Sequence, residues 1–74
     1  MSNDNSVYWV SPLGIKDDFG ELYKDVMYDG RTNSGPWANM AAQSWRIYGV
    51  GKLGTGYGQK YKKQADGRWL KVEG

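Results

Sequence analysis

A 74-residue chain with no cysteine and no histidine must hold itself together by burial alone. Disulfides, Cys/His zinc sites, cysteine nucleophiles and histidine-based triads are all excluded, although chains this short often depend on such staples. Leu, Ile, Val and Phe together number 12 of 74 residues, a fraction that raises the question of disorder. The rings answer it. Four Trp, six Tyr and one Phe can each bury about 150–250 Å², so the expected core is built from aromatic side chains and few aliphatic ones.

The elements follow from local pattern. Residues 1–6 are polar, lack an apolar anchor and are expected to form a flexible tail, with one small domain over 7–74. Val7-Tyr8-Trp9-Val10 is a β-favouring run stopped by Ser11-Pro12 and Gly14, which predicts an N-terminal strand or hairpin. Phe19, Leu22 and Tyr23 fit either a helical turn or a meander. Leu22 to Tyr28 is read as strand, with Asp29-Gly30 as a turn signal behind it. The spacing predicts a helix over about 36–48. Pro36 suits a first helical position, Ser34 or Gly35 a cap, and Gly49 a left-handed stop. Trp37, Met40, Ala41, Ser44, Trp45 and Tyr48 then form one stripe of 3.6-residue period, facing the core.

Residues Gly35 to Tyr61 read GPWANMAAQSWRIYGVGKLGTGYGQKY. This stretch resembles a group of small phage-encoded and bacterial zinc-finger-like proteins of treble-clef type. In these a GPWA-x-M segment runs into Cys-x-x-Cys, an aromatic-containing helix and a Gly-rich LGTG-x-GQ-Y tail. The resemblance implies that Ala41 and Ser44 stand at the cysteine positions, where neither a methyl nor a hydroxyl replaces a zinc-binding thiolate. It implies a zinc-less, treble-clef-like fold in a phage-type accessory protein. The expected Ser44 partner is a backbone carbonyl. No metal or other cofactor is expected.

Five glycines lie between Gly49 and Gly58. The Gly54-Thr-Gly56-Tyr-Gly58 run reads as a sharp connection or as an anion nest of backbone N–H groups. It follows a helix and precedes a strand, the reverse of a dinucleotide fingerprint. The last segment, about 57–73, reads as a β-hairpin around an Asp66-Gly67 turn. A two-residue turn there would pair Ala65 with Arg68, Lys63 with Leu70 and Tyr61 with Val72. Lys60, Lys62, Gln64, Trp69, Lys71 and Glu73 would then share the other face, and Lys62 would oppose Lys71, a like-charge pair that a bound anion relieves.

Charge is uneven along the chain. Residues 1–30 hold six acids against Lys16 and Lys24, a balance of −4, and residues 31–74 hold eight bases against Asp66 and Glu73, a balance of +6. This reads as an oriented electrostatic surface or as two halves that neutralise each other across the fold. The candidate interface is Lys60, Lys62, Lys63, Arg68, Trp69 and Lys71, with Tyr57. Basic groups beside a stacking ring suit nucleic acid, where phosphates supply affinity and rings supply base contact. The same residues also suit a solvated edge strand blunted by lysine, or an acidic protein surface. Asp17 and Asp18 lack the spacing of a calcium loop, and a chain of this size has little room for a substrate cleft.

No apolar run reaches the length of a membrane span, and neither a signal peptide nor a myristoylation pattern is present. A cytoplasmic protein is expected, of an infected host cell if the phage resemblance holds. The fold class expected is small α+β. The function expected is non-enzymatic binding of nucleic acid through the C-terminal hairpin, with a host-protein-binding modulator as the alternative.

Overall fold

The computed structural model describes residues 6–74, and the expected tail over residues 1–6 lies outside that range except for Ser6. Four strands and one helix follow in the order β1 (Val26–Arg31), β2 (Trp37–Met40), α1 (Ala42–Tyr48), β3 (Gly58–Lys63) and β4 (Trp69–Glu73). The strands form one antiparallel sheet in the order β2-β1-β3-β4. The α+β class and the C-terminal hairpin are as the sequence led us to expect. Several boundaries and one register are not.

The segment over 36–48 is half strand. Pro36 does not start a helix; its carbonyl accepts both the Thr32 N–H and the Thr32 hydroxyl, at 2.9 and 2.7 Å, closing the turn between β1 and β2. Ser34 and Gly35 belong to that turn. Asp29-Gly30, expected as a turn, runs straight through β1, because Gly30 is needed for clearance. A Cβ there would meet the Trp45 ring at 2.8 Å and the Tyr57 carbonyl at 3.0 Å. The same ring explains Gly49, which is extended at φ −73° and not left-handed, and whose Cβ would strike Trp45.

Strand alternation assigns the two faces. One carries Met27, fully buried, opposite the buried Tyr61. Trp9 meets Tyr61 edge-on at 5.6 Å, and Tyr23 meets Trp69 edge-on at 5.9 Å. The other carries Tyr28 and Gly30, with Met40 across from Tyr28. Trp45 lies flat on Tyr28, ring centroids 4.9 Å apart and planes within 3°. Met40, Ala41 and Ser44 are buried. Trp37 and Tyr48, expected in the core, are 46% and 44% exposed. Trp37 is strand, not helix, so it leaves the Trp45 stripe, and Tyr48 stacks on Phe19 at 4.3 Å instead.

The segment before β1 wraps the sheet. Tyr8 forms an isolated bridge with Leu70, fastened by Trp9 N–H to Trp69 O and Lys71 N–H to Val7 O. The expected first strand is thus a single bridge on the free edge of β4. Residues 15–23 make a small hairpin closed by a Lys16–Leu22 bridge, which reaches the opposite edge. There Asp18 takes the Asn39 N–H on its carboxylate and gives its own N–H to the Asn39 carbonyl. Both sheet edges are covered, the usual defence against edge-to-edge pairing.

Asp17 is the polar anchor of this wrap. One carboxylate oxygen accepts the N–H groups of Phe19 and Glu21, at 2.9 and 2.8 Å, and the other accepts Ala41 N–H at 2.8 Å. The acceptor at the start of α1 therefore comes from a distant loop, since Ala41 has no capping side chain of its own. Ser44 Oγ is fully buried and makes no hydrogen bond of good geometry. It turns to the Asp17 carboxylate and not to a backbone carbonyl as expected. Burial pushes the Asp17 carboxyl up, but the Ser44 hydroxyl and the N–H groups of Ala41, Glu21 and Phe19 outweigh it. The net shift is downward.

Candidate nucleic-acid interface

The turn of the C-terminal hairpin decides where its cations point. Gln64 N–H donates to Arg68 O and Gly67 N–H to Gln64 O, at 2.7 and 2.9 Å, with Gly67 at φ +89°. That is a three-residue loop with a left-handed glycine at its end, one residue longer than the expected two-residue turn. A slip of one residue exchanges the faces of one strand relative to the other. Lys63 pairs with Trp69, Lys62 with Leu70 and Tyr61 with Lys71, and past a bulge at Val72 Lys60 pairs with Glu73.

The expected interface is therefore divided. Lys63, Trp69 and Lys71 share the face of Tyr61, on the core side, where Lys63 Nζ lies 5.9 Å from the Trp69 ring. Lys60 and Lys62 share the other face with Tyr28, Val26 and Leu70. Arg68 is two residues from Leu70, and its guanidinium stacks 4.0 Å from the ring of Tyr8, which is bridged to Leu70. Lys62 does not oppose Lys71, so the like-charge pair that an anion would relieve is absent. Tyr57 belongs to neither face; it sits in the turn before β3, with Lys52 Nζ 5.4 Å from its ring.

The Lys60 face forms a continuous strip across three strands. Tyr28 lies on β1, Lys60 and Lys62 on β3, Leu70 on β4, and Tyr8 and Arg68 at the outer rim. Helix α1 covers its Tyr28–Gly30 end and stops there. Lys60 Nζ stands 5.8 Å from the Tyr28 ring. Lys62 is exposed and Lys60 half-buried. Arg68 is tied to Asp66 by an ion pair of 2.8 Å, the one ion pair among the described residues, so Lys60 and Lys62 lack a carboxylate within salt-bridge reach. Glu73, the cross-strand neighbour of Lys60, is the acid on this strip.

The Gly54–Gly58 loop is a connection and not an anion nest. The N–H groups of Gly54, Tyr57 and Gly58 are spent on Gly58 O, Gly54 O and Gly54 O. No group of three or more Asp, Glu, His or Cys among the described residues is placed to hold a metal ion, and no helix among them is long and apolar enough to cross a membrane.

Tyr8 and Tyr28 are the residues of this strip that sequence reasoning missed. Tyr8 stands in a recognised β run, and alternation from Trp9 could have assigned its face. Tyr28 joins the strip only through the pairing of β1 with β3, which leaves no local mark. No family model, curated protein or solved structure matches the chain.

Proposed function

We propose that the protein is a non-enzymatic nucleic-acid-binding module that contacts a single strand with the open half of the Lys60 face. The observation that carries this reading is the gathering of Lys60, Lys62 and Arg68 on one sheet surface with Tyr8 and Tyr28 beside them. A flat sheet with cations at several positions can follow a phosphate backbone, and the Tyr8 ring at the outer rim offers contact to an unstacked base. The phage-type accessory role rests on the resemblance of Gly35–Tyr61 alone.

Titration of a fluorescent single-stranded oligonucleotide at several salt concentrations tests it. Affinity is expected to fall with a log–log slope of about −0.7 per phosphate neutralised. Reversing Lys60 and Lys62 to Glu should flatten that slope and weaken all sequences alike. Reversing Lys71, on the other face, should have a much smaller effect. Equal losses from the two faces would leave only non-specific attraction to a basic protein, and the proposed surface would be wrong.

A further inference from the structure

Aliphatic side chains in this protein stay out of the fully buried core. Of its eleven Leu, Ile and Val residues none falls among the buried residues, whose apolar members are Met27, Met40, Ala41 and Tyr61. Val10 is 91% exposed, Ile15 76% and Leu22 55%. The last two line a groove of about 370 Å³ together with Leu13, Trp69, Lys24 and Lys63. This groove lies where the 15–23 hairpin meets β4, across the sheet from Lys60 and Lys62.

Two properties specify an occupant. No acid lines the groove, whereas Lys24 and Lys63 stand on it, so its charge suits a partner bearing carboxylates. In addition, the main chain from Val10 to Gly14 makes no hydrogen bond within the described residues, leaving donors and acceptors for an extended strand laid beside it. Clustered exposed aliphatics are the usual mark of a protein-binding surface. We infer that this groove docks a short extended peptide segment of a protein partner, carrying an aliphatic or aromatic anchor flanked by Asp or Glu. The inference is independent of the nucleic-acid reading, which concerns the opposite face.

Selection of the full chain against a displayed library of random short peptides tests it. Enriched sequences should combine an apolar anchor with acidic neighbours. A synthetic copy of one should shift the amide resonances of Leu13–Ile15, Leu22–Lys24 and Lys63. Ile15→Ser with Leu22→Ser should weaken it about thirtyfold, the loss expected of an anchor contact. Lys24→Glu with Lys63→Glu should weaken it about tenfold, and a thermal melt checks that each variant folds. Lys60→Glu with Lys62→Glu should leave peptide binding intact while reducing oligonucleotide binding, so the two sites fail separately. Enrichment of peptides without acids, resonance shifts outside the groove, or no enrichment would overturn the proposal. A concentration-dependent dimer abolished by Ile15→Ser would also overturn it, by giving the groove to a second copy.

Discussion

On one face of the sheet, Met27 and Tyr61 are closed over by Trp9, Tyr23 and Trp69, rings brought together from both ends of the chain. On the other, Trp45 closes the end formed by Tyr28, Gly30 and Met40, and the rest is left to Lys60 and Lys62 of β3 and to Leu70 and Glu73 of β4. The difference teaches how a chain poor in aliphatics divides its resources. Its rings suffice to seal one face and half of the next. The unsealed half carries long amphipathic side chains, whose stems cover apolar surface while their charges stay in water. That leftover surface is where a ligand can bind without disturbing the core.

The comparison breaks most visibly at Trp45. Trp45→Ala removes the one ring that closes the second face and should cost about 3–5 kcal/mol, enough to unfold a domain of this size. An unchanged melting temperature would mean that the Tyr61 face alone supports the fold. Asp17→Ala comes next, at about 2–4 kcal/mol, because it strips acceptors from three N–H groups. Its pH dependence gives a sharper reading. A carboxyl held below its ordinary value in the folded state stabilises above the ordinary carboxylate range and loses that contribution as pH falls through its folded value. Asp29 opposes this, since burial and the neighbouring Asp18 raise it, and its contribution is lost as pH rises. Asp17→Ala should therefore flatten the acid limb of a stability–pH curve; an unchanged limb would remove Asp17 from the account.

Gly30→Ala should cost about 1–3 kcal/mol by lifting Trp45 from Tyr28, visible as a change in near-ultraviolet circular dichroism. A silent substitution would show that the ring has room to spare. Trp37→Ala, by contrast, should cost about 1 kcal/mol or less in chemical denaturation, as suits a half-exposed side chain outside both clusters. A loss as large as that of Trp45 would restore it to the core. Smallest of all, a strong chelator should leave the melting curve unmoved, since the 15–23 hairpin is tied to the start of α1 by a carboxylate. Loss of cooperative folding on chelation would show that a metal holds that junction.

At high pH the same wrap has a second weak point. Tyr23 is pushed up to about 12, first by burial and then by Asp17, Asp18 and Asp29. A raised phenol stabilises the fold below its ordinary value, and that contribution is lost as pH rises from about 10 through 12.

What the sequence disclosed was local. Asp66-Gly67 marked the last hairpin, but a glycine with positive φ serves both a two-residue turn and the end of a three-residue loop, so the register came out one residue wrong. Trp69, Leu70 and Lys71 then changed face relative to β3, and only the bulge before Glu73 brought the expected Lys60–Glu73 pair back. Trp37 and Met40 stand three apart, which fits a helix stripe as well as a strand leading into one, and the choice was made by Thr32 reaching Pro36. Asp17 lay in a charged run without any signal, since its third partner is 24 residues away. For the candidate interface, Lys60, Lys62 and Arg68 were legible as basic groups on a hairpin. Their grouping with Tyr8 and Tyr28, and their separation from Trp69 and Lys71, required the register.

The bridge between Tyr8 and Leu70 ties the order of synthesis to the order of folding. Val7 to Trp9 find their partners in β3 and β4, which are made after β1, β2 and α1. On a ribosome the 15–23 hairpin and β1–β2 can form as they emerge, but Trp9 has no Tyr61 edge to meet until β3 is free of the exit tunnel. Contacts of such long sequence separation slow folding, because the intervening chain must be closed before they form. Until β4 arrives, β3 presents an open strand edge to solvent, so messages cut short before Leu70 should yield chains prone to pair with one another.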